Sequence, residues 1–239
     1  MEKLGKKLKA HHEGMQHDDQ IEEVVARSGG EGAVQDFVEQ NKNLLFILGG
    51  ALLVIVLGFF GYRFYQNSQN QTASNELYDA IQSFEAGNYA AALNGDSTLN
   101  NMGVADVADS YGGTEAGNLA KYYAGISYIR QGDVARGIDY LEDVSGNGTM
   151  LGVAANVALG FAHEEAGNFA EAAKAFEDAA GTVGGNEFTT PFALKKAGEN
   201  YEATGNSSKA LDLYKQIKEK YPNSEEGRDI EKFIGRASS

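Results

Sequence analysis

The chain is 239 residues long, 42% hydrophobic, and carries 34 acidic against 20 basic residues, a formal net charge of −14. A chain this acidic repels phosphate backbones, so broad nucleic-acid binding is disfavoured and the expected partners are proteins or cations. The lack of any cysteine excludes disulfides, thiolate catalysis, Cys-ligated metal and an acylated-cysteine anchor. Two prolines against 30 glycines fit closely packed helices punctuated by glycine turns.

Residues 1–42 read as a polar cytoplasmic tail. His11, His12 and His17 stand near Glu13, Asp18 and Asp19. No helix or strand fixes their geometry, so a solvated tail is expected and no metal site. The runs DDQIEEVVARS from Asp18 and VQDFVEQN from Val34 have helical periodicity, which fits either a frayed solvated helix or a contact for a cytoplasmic partner.

Residues 44–62 then offer 19 uncharged positions between Lys42 and Arg63. At ~1.5 Å per residue a helix there covers roughly 28 Å, close to the ~30 Å hydrocarbon core of a bilayer. A long polar stretch precedes the run and no small-residue cleavage pattern follows it, which favours an uncleaved anchor over a secretory signal peptide. The expected transmembrane helix covers 43–65, with Tyr62, Phe64 and Tyr65 at the far headgroup level. Upstream lie Lys3, Lys6, Lys7, Lys9, Arg27 and Lys42, whereas residues 64–120 hold no Lys or Arg. The positive-inside rule therefore predicts a cytoplasmic N-terminus and an exported C-terminal domain.

A linker is expected over 66–74, followed by internal repeats over 75–222. Four segments align: AGNYAAAL from Ala86, QGDVARGIDYL from Gln131, AGNFAEAAKAF from Ala166 and TGNSSKALDLY from Thr204. Their turn glycines are Gly87, Gly132, Gly167 and Gly205, and Gly125, Gly160 and Gly198 stand seven residues before the last three. A glycine inside a helix costs about 1 kcal/mol relative to alanine, so these predict a neighbouring helix packed directly on the backbone. The turn glycines supply the φ > 0 that reverses the chain into an antiparallel partner. Five positions after each turn glycine comes a small residue (Ala92, Gly137, Ala172, Ala210), and four later, in three repeats, a large one: Leu141, Phe176 and Tyr214. Residues 94–118 read as an extended, glycine-rich insertion.

These features resemble the tetratricopeptide repeat family, whose repeat is a helix–turn–helix of about 34 residues. The resemblance covers Asn75 to about Pro222 and is weakest in the first repeat, where Ala80 replaces the packing glycine. It implies an all-α fold: a single N-terminal transmembrane helix, then a helical-repeat solenoid. Residues 223–239 are expected to form a polar-faced capping helix, as open-ended arrays require. The layout also resembles the YfgM-like ancillary proteins of the Sec translocon, through FVEQNK before the span and the ALNGDS and YGGTEAGNLAKYYAG segments. Such proteins have one span and a periplasmic repeat domain. The resemblance implies an inner (cytoplasmic) membrane location, with Sec translocon subunits and periplasmic chaperones or client polypeptides as partners.

In the repeat family the first helix of each pair lines a concave surface, which implies partner-binding positions. Counting from each packing glycine, these are Tyr122, Ile126 and Ile129, then Val157, Phe161 and Glu164, then Lys195, Glu199 and Glu202. In the first repeat they are Leu77, Ile81 and Phe84. Such a groove runs from apolar near the membrane to charged and largely acidic at its far end, and suits extended polypeptide. Apolar residues at helical spacing fit a buried core equally well. Tyr128 and Tyr201 read as core, and His163 as a partly buried helix residue.

No pattern carries chemistry. There is no phosphate loop, and carboxylate pairs such as Glu142 and Asp143, or Glu177 and Asp178, read as solvated helix faces. No catalytic residue, metal or cofactor is expected. The expected function is that of a non-catalytic, membrane-anchored scaffold or chaperone-like adaptor for clients at the Sec translocon. A scaffold of outer-membrane or surface secretion machinery, and an envelope-sensing regulator acting through its tail, stand as alternatives.

Overall fold

The computed structural model describes residues 31–95, 101–146, 148–182 and 186–238. The readings of His11, His12 and His17 and of the run from Asp18 lie outside the described residues. Among the described residues every regular element is a helix: α1 (Glu31–Glu85), α2 (Tyr89–Asn94), α3 (Val104–Tyr111), α4 (Glu115–Arg130), α5 (Val134–Glu142), α6 (Met150–Glu165), α7 (Phe169–Thr182), α8 (Thr189–Ala203), α9 (Ser207–Lys220) and α10 (Glu225–Ala237). The chain divides into two units between Arg63 and Phe64.

In the first unit, α1 carries the apolar run. Every side chain from 44 to 62 is exposed, Phe46 at 79%. Among the described residues α1 is the one helix long and apolar enough to cross a membrane.

The second unit is a solenoid of antiparallel helix pairs: the C-terminal part of α1 with α2, α4 with α5, α6 with α7, and α8 with α9, closed by α10. Two sequence expectations change here. Residues 66–74 are helix rather than linker, since no glycine or proline interrupts them and Ala73 is wholly buried. Asn70 Oδ1 there accepts the Ala116 N–H at the start of α4, 2.8 Å away. Within the expected 94–118 insertion, residues 104–111 and 115–118 are helical. Val104, Val107 and Ala108 lie one helical turn apart or less, so α3 forms and buries all three against Leu77 and Ala80.

Each pair turns by the same device. Gly87, Gly132, Gly167 and Gly205 take φ between 76° and 85°. In each turn the glycine N–H donates three residues back, and the next N–H donates five back: Gly132 to Ile129 O (2.9 Å) and Asp133 to Tyr128 O (2.9 Å) are representative. This double bond satisfies the last carbonyls of the first helix. Asn88, Asp133 and Asn206 then cap the second helix, accepting from Ala91, Arg136 and Lys209 N–H respectively.

A second device starts three of the helices. Thr114, Thr149 and Ser224 each accept from the N–H of a glycine three residues on, Gly117, Gly152 and Gly227, at 3.0–3.1 Å. Their own hydroxyls donate back to Tyr111, Gly146 and Tyr221 carbonyls. A Cβ on Gly117 or Gly227 would strike the Tyr111 or Tyr221 carbonyl oxygen. The segments YGGTEAG and YPNSEEG are therefore one element used twice.

Within the last three pairs, the interior glycine faces the large residue foreseen for it. A Cβ on Gly125 would meet Leu141 Cγ at 2.6 Å, and one on Gly160 would meet the Phe176 ring at 2.6 Å. On Gly198 it would overlap the Tyr214 ring. Leu141, Phe176 and Tyr214 are correspondingly buried, none more than 1% exposed. Gly137 returns the contact, its bare Cα receiving Ile129.

This packing gives a direct test. Gly160→Ala should lower stability by about 1–3 kcal/mol through overpacking against Phe176. Gly181→Ala in α7, where a Cβ meets nothing within 4 Å, should leave the urea midpoint unchanged or slightly higher. Equal midpoints for both variants would show that Gly160 is not a packing site.

Candidate partner-binding groove

The first helices of the second and third pairs, α4 and α6, together with the start of α8, enclose an open apolar cleft of about 520 Å³. Its walls are Tyr122, Ile126 and Ile129 from α4 and Val153, Val157, Ala158 and Phe161 from α6, with Met150, Thr189, Arg130 and Glu165 at its edges. Helical periodicity aims these side chains together, because residues 122, 126 and 130, and 150, 154, 157 and 161, fall on one stripe of their helices. Two large apolar side chains are left to solvent here, Met150 at 64% and Phe161 at 44% exposed. Phe161 is held upright by an edge-on contact with Phe176, centroids 5.2 Å apart, and by Lys196 Nζ 5.3 Å from its ring. Burial, then the neighbouring Tyr123, push the Tyr122 hydroxyl above its ordinary pKa.

The twelve sequence-designated groove residues divide into three sets. Tyr122, Ile126, Ile129, Val157 and Phe161 line the cleft. The first-repeat residues do not extend it. Leu77 is only 3% exposed, in the core that α3 completes with Val104 and Val107, and Ile81 packs on that core half-buried. Phe84 is half-buried in an aromatic cluster, 5.3 Å from Tyr89 and 4.9 Å from Tyr123.

The charged residues at the far end are engaged with one another. Glu164 accepts from Asn200 Nδ2 at 2.6 Å and pairs with Lys196 at 2.7 Å, and Glu199 pairs with Lys195 and Lys196 at 3.9 and 3.8 Å. Lys195 also lies over the Phe233 ring, 4.8 Å from its centre, and Glu202 accepts from Arg236 Nε at 2.9 Å. Phe233 and Arg236 belong to α10, so the acidic end expected to be open is tied to the closing helix. Tyr128 and Tyr201 do pack inward, Tyr128 half-buried and Tyr201 buried, and His163 is half-buried.

Sequence counting missed Met150, Val153, Arg130, Glu165 and Thr189. Positions three before, one after and five after the packing glycine form a strict four-residue row, so five after, not four, continues the stripe onto Arg130 and Glu165. Running the same row back through α6 reaches Val153 and, one further turn, Met150. Thr189 belongs to the start of α8, beyond any count within one pair.

The α10 contact makes a pH prediction. Hydrogen bonds from Arg236 and then Tyr214 hold the Glu202 carboxyl below its ordinary value, against the opposing effect of partial burial. Burial first, and then Glu202, push the Tyr214 hydroxyl up, so it remains a donor, 2.8 Å from Glu202 Oε2. A carboxyl whose folded pKa is depressed stabilises above its unfolded value and loses that contribution as pH falls through the folded one. Urea unfolding followed from pH 7 to pH 3 should show this contribution intact above about 4.5 and disappearing below it. In Arg236→Gln the curve should be flatter over that interval. Parallel curves would mean the pair contributes nothing.

A family model described as a tetratricopeptide repeat-like domain matches residues 35–233, the whole apolar run included. Among solved structures, the nearly identical TPR-like repeats of a candidate kinesin light chain from Podosopora anserina share the fold at 17% identity. The TM-score is 0.50 over 68% of this chain and 83% of that one. A single-substitution form of the same repeats gives 0.49 with the same identity and coverage. At that identity the likeness is one of fold alone. No curated protein matches the chain.

Proposed function

This chain belongs to the tetratricopeptide repeat-like domain family, and on that premise we propose that it is a membrane-anchored, non-catalytic scaffold whose cleft takes apolar stretches of partner polypeptide. The observation that carries this reading is the cleft itself. It is concave and apolar, and Met150 and Phe161 expose large apolar side chains at it. Anchoring is supported by the fully exposed apolar run of α1 and by its length. The distribution of Lys and Arg supports a cytoplasmic N-terminus and a periplasmic repeat domain at the inner membrane.

The finer reading is work beside the Sec translocon, receiving polypeptides as they emerge. It is supported by the similarity of layout to YfgM-like proteins and by the fit of an apolar cleft to an unfolded chain.

A photo-crosslinking residue at Met150 in cells should capture translocon subunits or newly exported polypeptides. Adducts with outer-membrane assembly machinery alone would replace the translocon by that machinery. Phe161→Glu should lower adduct yield about tenfold, as the loss of a central aromatic anchor does, with circular dichroism nearly unchanged. Unfolding of this variant would instead assign Phe161 to the core. The topology has its own check: a reporter fused to the C-terminus should react with reagents added to spheroplasts, and protection from them would exclude a periplasmic repeat domain.

A further inference from the structure

The two charged residues at the cleft edge have no structural occupation. Arg130 ends α4 and Glu165 ends α6; both are exposed, and among the described residues neither side chain makes a hydrogen bond or ion pair. The charges designated for the groove are all committed: Glu164 to Lys196 and Asn200, Lys195 to Glu199, Glu202 to Arg236. Arg130 is at least well placed at a helix C-terminus, where a cation complements the dipole. Glu165 is badly placed there, an anion beside the last carbonyls of α6. The cleft position distinguishes this pair: two exposed side chains of opposite sign line one apolar cleft and are open to an external partner there.

We propose that Arg130 and Glu165 select the polypeptide segment that enters the cleft, requiring an apolar stretch flanked by one acidic and one basic residue. The acidic flank lies against Arg130 and the basic flank against Glu165. Neighbouring helices pack about 8–10 Å apart, and an extended chain advances about 3.3 Å per residue, so the two flanks stand roughly three residues apart. The apolar side chains between them fill the wall formed by Ile126, Val157 and Phe161. This selection rests on the reading of the cleft as a polypeptide site.

Three fluorescent peptides with one common apolar centre test it, flanked by Glu and Lys, by two Lys, or by two Glu. They are titrated by anisotropy against the full-length chain in detergent at low salt. The wild type should bind the Glu/Lys peptide about two- to fivefold tighter than either like-charged one, the scale of exposed ion pairs. Arg130→Glu should move the preference to the two-Lys peptide, and Glu165→Lys to the two-Glu peptide. Arg130→Gln and Glu165→Gln, which place no new charge at a helix end, should each abolish half of the discrimination. Raising the salt should flatten all the preferences. Binding with the same rank order in wild type and variants would overturn the charge selection while leaving the cleft reading intact. Failure of all three peptides to bind would overturn both.

Discussion

Everything in the repeat unit depends on how closely the two helices of a pair approach. At Gly125, Gly160 and Gly198 the first helix offers bare backbone, and the second fills the space with Leu141, Phe176 or Tyr214. A methyl group at any of the three positions would occupy volume already taken. The contact fixes the rotation of the first helix about its own axis. With the glycine face turned to the partner, the row containing Tyr122, Ile126 and Arg130, or Val157, Phe161 and Glu165, turns to the other side. The cleft is thus a geometric consequence of where the glycines are, and its walls share side chains with the pair interface: Ile129 also packs on Gly137, and Phe161 on Phe176.

The outward-facing part of these rows differs along the concave side. Between the second and third pairs the facing rows are apolar and remain open. Toward the end of the array the equivalent positions of α8 are Lys195 and Glu199, and with Glu202 they are consumed by ion pairs with their neighbours or with α10. At the beginning, α3 covers Leu77. Between the second and third pairs the concave side keeps exposed apolar surface, and the side chains of Arg130 and Glu165 lie on that same stretch.

The regular part of this was legible in the residues. Glycine pairs seven apart with a large side chain nine positions after the turn announce a helical hairpin, because only one backbone geometry suits both. Of the twelve residues designated by counting from the packing positions, five line the cleft. What escaped was of two kinds. The YGGTEAG and YPNSEEG starts are separated by about three repeats and differ at the Gly-Gly and Pro-Asn positions, so their common hydrogen bonding emerges only from the backbone. The burial of Leu77 and the closure over Glu202 depend on α3 and α10, elements outside the repeat period, which no counting from packing glycines reaches. The 66–74 segment, expected as a linker, continues α1, and its Asn70 amide oxygen accepts from Ala116 at the start of α4.

Helix pairing between sequence neighbours also bears on how the molecule is made. Each hairpin closes over a few tens of residues, and its turn carries its own hydrogen bonds, so most native contacts are short in sequence and the entropy of ordering is spent in small steps. A chain threaded from its N-terminus can complete one hairpin before the next has arrived, with no early segment waiting for a distant strand. Stacking each new pair on the last then transmits order along the array, and α10 covers the open face of the fourth pair.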